Sequence, residues 1–230
     1  MNRKVIIALD VSSSEEALHL FKQLRELAGM FKVGSQLFMS AGPSIVREII
    51  DEGGSVFLDL KFHDIPNTVT QAAVEAAEFG VSMMTVHASG GRAMMEAVAK
   101  ELADKFGDQK PRVMAVTVLT SLDTRALFEM GWEQPVDQQV ERLALLAQDS
   151  GIDGVVCSPR EIQLVRKVVK PAFKIVTPGV RLPDQSLNDQ QRIATPREAL
   201  SSGADYIVVG RPVTGERDPR AALQRLLETL

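Results

Sequence analysis

Eight short apolar runs, recurring at intervals of roughly 20 to 40 residues, constrain the fold of this chain more than any other feature. They read KVIIALD (4–10), MFKVG (30–34), SVFLDL (55–60), MMTVHA (83–88), RVMAVTVL (112–119), GVVCS (154–158), KIVTPG (174–179) and YIVVG (206–210). They are rich in β-branched residues and show little of the apolar–polar alternation of a half-exposed strand. Continuous apolar runs of this length mark parallel strands covered on both faces by helices. Helical patterns lie between them. SSEEALHLFKQLREL places Ser13 and Glu16 at capping-box spacing. PSIVREIIDEG and GRAMMEAVAKELADKFG end on glycine, as helices often do, and TVTQAAVEAAEFG has the same helical period.

Eight strands, seven helical connections and a last helix, DPRAALQRLLETL, predict a closed (β/α)8 TIM barrel, a single α/β domain over residues 1–230. The 230-residue length suits one such barrel, and no low-complexity segment, charge run or linker divides the chain. A doubly wound open sheet is the alternative. Against it, no G-x-G-x-x-G turn follows the first run. The formal charge of -4 argues against a general nucleic-acid or membrane-surface binder. The single cysteine, Cys157, allows no internal disulfide and reads as a small core residue in a reducing compartment. The first residues hold too short an apolar run for a signal peptide, and no segment is long enough to span a bilayer. A cytoplasmic protein is the expectation.

Charge gathers at the ends of the runs. The first run ends in Asp10, the second carries Lys32 and the third carries Asp59 and then Lys61, while His87, Thr120, the Pro178-Gly179 pair and the Gly210-Arg211 pair stand at the later ends. In a barrel these ends share one face, so groups distant in sequence converge on one mouth. Two long connections, TSLDTRALFEMGWEQP and VRLPDQSLNDQQR, follow the fifth and seventh runs on the same face. Tolerated surface insertion and an active-site lid explain them equally well.

The segment VFLDLKFHDIPNTV is the densest in chemistry. Asp59 and Lys61 are two apart and, on an extended backbone, point the same way into the barrel. Asp64 follows on the loop, and Pro66 stiffens what comes after. Unpaired buried charge is costly, so Asp10, Lys32, Asp59 and Lys61 are expected to alternate in sign as one network. A lysine held among carboxylates keeps its proton and suits a proton donor better than an amine nucleophile. A buried salt bridge that merely closes the barrel explains the same residues. At the seventh and eighth ends, TPGVR and VVGRPV offer glycines for close backbone approach and Arg181 and Arg211 for charge, with Gln190 on the loop between. That is the usual barrel site for a phosphate, although tight turns with solvated arginines would look alike. His63 reads as packing beside the cluster, His87 as site or interface, His19 as surface, Trp132 as local packing, and the pairs Met83-Met84 and Met94-Met95 as core.

LDLKFHDIPNTV resembles the D-x-K-x-x-D-I-P-x-T signature of orotidine 5'-phosphate decarboxylases. The resemblance extends in order through IALDV, FKVG, VHASGG, VTVLTS, TPGVR and VVGRPVT, nearly the whole chain. It implies a homodimer of (β/α)8 barrels with shared active sites. The implied reaction converts orotidine 5'-phosphate to UMP and CO2 in pyrimidine biosynthesis, with no metal and no organic cofactor. By the same resemblance Lys61 protonates C6, Asp59 lies beside the substrate carboxylate, and Lys32 and Asp10 contact the ribose and complete the network. Asp64 and Thr68 reach into the partner's site, and Thr120, with Ser121 beside it, lies by the pyrimidine. Arg181, Gln190, Gly210 and Arg211 hold the phosphate. The rival readings are a Mg-dependent sugar-phosphate decarboxylase or aldolase-like barrel, a phosphosugar isomerase, and a non-catalytic nucleotide-binding barrel.

Overall fold

The computed structural model describes residues 2–180 and 194–230. Eight strands close into one parallel barrel in sequence order: β1 (Asn2–Ala8), β2 (Ala28–Gly34), β3 (Val56–Phe62), β4 (Met83–His87), β5 (Arg112–Val116), β6 (Gly154–Val156), β7 (Lys174–Thr177) and β8 (Tyr206–Val209). β1 pairs with both β2 and β8, which closes the cylinder and leaves no edge. Helices cover the outside: α1 (Ser14–Leu24), α2 (Ser35–Ala41), α3 (Ser44–Asp51), α4 (Pro66–Glu78), α5 (Gly91–Phe106), α6 (Thr124–Glu129), α7 (Val136–Asp149), α8 (Ile162–Val168), α9 (Pro196–Ser201), α10 (Arg211–Thr214) and α11 (Pro219–Glu228). The expected (β/α)8 architecture is therefore the observed one.

Local signals explain the helix starts. Ser13 accepts the Glu16 N–H at 3.2 Å, Asp123 caps α6, and Asp218 caps α11. Pro66 occupies the first turn of α4, where a missing N–H costs nothing, so α4 starts immediately after the acidic segment. The long connection after β5 is not featureless, because α6 forms within it.

Strand ends differ from the sequence expectation in an instructive way. β1 stops at Ala8, β5 at Val116 and β7 at Thr177, so Asp10, Thr120 and Pro178-Gly179 stand beyond the last ladder bonds. Apolar character overran the strands because the first loop residues still pack on the core; Val118, for instance, is buried. Gly179 has φ 77° and turns the chain where β7 ends.

Two packed layers result. Ile6, Ala8, Met30, Phe57, Met83, Met114, Val176 and Val208 fill the barrel interior. The neighbouring positions point outward beneath the helices, so Met83 lies inside and Met84 outside. The interior is thus plugged by side chains, and a ligand can enter only above this plug, at the mouth. Cys157 is buried, and burial, with the Glu161 carboxylate second, pushes its thiol far above the usual range.

Carboxylates also secure the opposite, N-terminal face. Asp153 takes the Lys110 ammonium on both oxygens at 2.7 Å and accepts the Val113 N–H at 2.8 Å. Asp205 accepts the Ile175 N–H at 2.9 Å, pairs with Lys174 at 3.2 Å, and also pairs with Arg166. These acids satisfy backbone donors at strand starts, a stabilising task. Asp205→Ala is expected to cost about 1–3 kcal/mol, since it strands donors that are mostly out of water. That corresponds to a fall in Tm of roughly 2–4 °C per kcal/mol for a chain of this size. Calorimetry on the variant checks it, and activity per folded molecule should stay near wild type.

Candidate active site

The mouth of the barrel is built first by β1, β2 and β3. Parallel register sets Ala8 beside Lys32, Lys32 beside Phe57, and Gly34 beside Asp59. Lys32 Nζ donates to Asp10 Oδ1 at 2.7 Å and lies 3.8 Å from Asp59 Oδ2. Lys61 Nζ donates to the same Asp59 oxygen at 2.9 Å. The four charges alternate in sign from Asp10 through Lys32 and Asp59 to Lys61, as expected from the sequence. The inner pair is largely withdrawn from water, with side-chain exposures of 12% for Lys32 and 13% for Asp59. The outer pair remains accessible, at 54% for Asp10 and 37% for Lys61. A substrate entering the mouth would meet Lys61 and Asp10 first.

Asp59 and Lys61 meet, but not by simple pleat alternation. Between Leu58 and Phe62 the register of β3 on β4 shifts, so four residues along β3 span what two span on β4, from Met84 to Val86. Lys61 takes φ 52°, and among the described residues no other non-glycine has a positive φ. Such a conformation costs about 1–2 kcal/mol for an L-residue and persists only where surroundings enforce it. The bulge re-aims the ammonium onto Asp59.

Two participants escaped the sequence reading. Thr85 on β4 is fully buried; its Oγ1 accepts the Lys61 backbone N–H at 2.9 Å and donates to Asp59 Oδ1 at 3.0 Å. The signal was a lone hydroxyl inside the apolar run MMTVHA, since a buried hydroxyl has to find partners. Gly34 ends β2, and a Cβ there would come within 3.0 Å of Lys32 Nζ and 3.4 Å of Asp10 Oδ1. Absence of a side chain lets the ion pair form.

The other predicted residues divide. Gly210 belongs to the same mouth: a Cβ on it would lie 3.9 Å from Asp10 Oδ2 and 3.5 Å from Ala8 Cβ. Arg211 follows it, exposed, as the first residue of α10. Thr120 is half-buried in the turn after β5. Asp64 is not part of the four-charge network; it is exposed, and its Oδ1 accepts the Ile65 N–H at 2.7 Å. Thr68 is exposed on the first turn of α4. Arg181 and Gln190 lie outside the described residues.

His63 and His87 stack with ring centres 5.1 Å apart and planes at 29°. His63 also lines an open groove with Asp64, Ile65, Pro66, Ser89 and Gly90. His87 is held below the ordinary histidine range, chiefly by burial, then by repulsion from His63 and Lys61, with Asp59 opposing. His87 is therefore electrostatically coupled to the cluster, whereas His19 is exposed and pairs with Gln23 on its own helix.

With that geometry in hand, comparisons with known proteins are specific. The family model described as "Orotidine 5'-phosphate decarboxylase / HUMPS family" matches residues 3–226. A protein of Syntrophotalea carbinolica named orotidine 5'-phosphate decarboxylase is 51% identical over 231 aligned positions, covering 99% of this chain and 95% of that one. One of the same name from Moorella thermoacetica is 51% identical, covering 97% of this chain and 90% of its own. Among solved structures, orotidine 5'-phosphate decarboxylase from Lactobacillus acidophilus superposes with a TM-score of 0.87 at 38% identity, covering 99% of this chain and 98% of that chain.

His87 carries a pH signature. A histidine held neutral in the fold but free to charge when unfolded takes up more protons in the unfolded state. Its stability contribution is complete above its ordinary value of 6.5 and is lost as pH falls below it. Thermal scans from pH 7 to pH 5 should therefore show a smaller fall in Tm for His87→Asn than for wild type.

Proposed function

The chain belongs to the orotidine 5'-phosphate decarboxylase / HUMPS family, and on that premise we propose that it converts orotidine 5'-phosphate to UMP and CO2 without a metal or organic cofactor. The observation that carries this reading is the Asp10–Lys32–Asp59–Lys61 network at the mouth of a plugged barrel.

The chemistry asks for such a network. Loss of CO2 breaks the bond to C6 and leaves the electron pair in the plane of the ring, where no adjacent π system receives it. Fixed charge must favour the developing carbanion instead. Lys61 sets an ammonium at the mouth, delivers its proton to C6, and draws another from water through its partly exposed side chain. Asp59 faces the departing carboxylate, and its repulsion is relieved as CO2 leaves. Lys32 helps hold Asp59 in place, and with Asp10 meets the ribose. Gly210 and Arg211, together with Arg181 and Gln190, grip the phosphate, while Thr120 borders the pyrimidine. Binding energy from that remote grip orients the ring over Lys61.

A Mg-dependent sugar-phosphate reaction fits this geometry less well. Asp59 Oδ2 already faces two ammonium groups and Oδ1 accepts a hydroxyl, so a divalent cation would have to displace both lysines. Among the described residues no three His, Cys, Asp or Glu side chains are grouped to hold a metal.

The enzyme is proposed to act as a homodimer in the cytoplasm. Asp64 and Thr68 stand outside their own chain's network and are exposed, and Ile65 between them is 67% exposed. A large apolar side chain so displayed beside the mouth suits a subunit contact, through which Asp64 and Thr68 would enter the partner's site. Among the described residues no helix is long and apolar enough to cross a membrane.

Purified protein in excess EDTA should decarboxylate orotidine 5'-phosphate, and Lys61→Ala should lose at least about a hundredfold in kcat. A folded wild-type protein without turnover would sink the assignment, and turnover abolished by the chelator would favour the Mg-dependent rival. Sharing of sites has its own test. Inactive Lys61→Ala and Asp64→Ala chains, mixed under conditions that exchange subunits, should regain part of the wild-type rate through hybrid dimers with one intact site. Proven exchange with no recovery would remove Asp64 from the partner's site.

A further inference from the structure

We propose that Thr85 is a positioning residue for the reaction: one hydroxyl holds both the bulged backbone of Lys61 and the carboxylate of Asp59. No part of the ordinary β ladder does this work. Across the shifted register of β3 and β4, the Lys61 N–H is received by a side chain, Thr85 Oγ1, at 2.9 Å. A hydroxyl that accepts there keeps its own hydrogen for a second partner. That partner is Asp59 Oδ1, at 3.0 Å, while Asp59 Oδ2 is left to face Lys61 and Lys32.

The consequence is geometric. Two points fix a planar carboxylate: Thr85 at one oxygen and the lysines at the other. Asp59 cannot rotate about its own axis without losing one of them. Lys61, at φ 52°, has a backbone conformation it would leave if unsupported, and the bond from its amide is what anchors that residue to β4. Thr85 is fully buried and stands two residues along β4 from Met83, which lies in the interior plug. It therefore faces the same interior side, directly above that plug. Water cannot substitute for it readily from so closed a position. Threonine also supplies a methyl for packing, so the hydroxyl and the shape can be separated by substitution. Valine keeps the shape and deletes both hydrogen bonds; serine keeps both bonds and deletes only the methyl.

The kinetic arm rests on the decarboxylase reading, whereas the backbone arm does not. Thr85→Val should lower kcat for orotidine 5'-phosphate about 10- to 100-fold, the scale of a misplaced reacting group, with KM changed by less than about threefold. Thr85→Ser should recover most of that loss. Hydrogen exchange at the Lys61 amide should be slow in wild type and Thr85→Ser and fast in Thr85→Val. A wild-type kcat in Thr85→Val would overturn the proposal, as would a Thr85→Ser variant no better than valine. Should the valine variant not fold, Thr85→Ala takes its place. A Lys61 amide that exchanges in the wild type as fast as an unprotected one refutes the proposal without any variant. Wild-type protein that fails to turn over orotidine 5'-phosphate counts against the function, and the exchange comparison still decides the part played by Thr85.

Discussion

Everything at the mouth of this barrel depends on one carboxylate, Asp59, largely withdrawn from water between two lysines. An isolated ionised group so placed would cost several kcal/mol, or would take up a proton instead. Here Lys32 and Lys61 stand at one oxygen and the Thr85 hydroxyl at the other. The second lysine leaves excess positive charge beside the carboxylate, and Asp10 balances it from β1's end. Four residues from three strand ends thus form a neutral group whose charges are nevertheless fixed in space. Replacing any one of them leaves its neighbours unbalanced, which is why the network behaves as a unit.

A barrel is a suitable way to hold such a unit. Its interior is filled by Phe57, Met83, Met114 and their neighbours, so the charged layer rests on a packed floor. Adjacent strands are locked in register, and Lys32 and Asp59 cannot separate without breaking the sheet. The chain deviates from regular geometry at the one residue proposed to transfer a proton. Lys61 holds a left-handed backbone inside a strand, and the cost of that conformation is offset by the bond from its amide to Thr85.

Acidic residues at the two ends of the barrel do different things. Asp153 and Asp205 each accept a backbone N–H at a strand start as well as a cation, so they complete the sheet. Asp59 instead faces side-chain groups, accepting from the Lys61 ammonium and the Thr85 hydroxyl with the Lys32 ammonium 3.8 Å away. The same residue type thus supports stability at one face and is available to chemistry at the other, in keeping with the division of labour in barrels of this kind.

The sequence by itself determined eight parallel strands alternating with helices, because doubly buried strands admit no polar alternation, and it favoured a closed barrel over an open doubly wound sheet; the pairing of β1 with β8 decided closure. It also determined which charges gather at the mouth, since Asp10, Lys32 and Asp59 lie in the C-terminal parts of apolar runs and Lys61 just beyond one, and in a barrel those ends share one face. Strand ends were less legible: Val118 stays apolar past the last ladder bond because a loop can pack on the core without joining the sheet. Only the tertiary structure decided how the charges meet. Pleat alternation is a local rule, and the bulge that aims Lys61 at Asp59 arises between β3 and β4, from residues more than twenty positions apart in sequence. For the same reason the parts played by Thr85 and Gly34 came only with the structure, although the lone hydroxyl of Thr85 in an apolar run marks it as needing a partner. One acts through a bond to another strand and the other through the space it leaves empty, and neither effect exists until the strands are side by side.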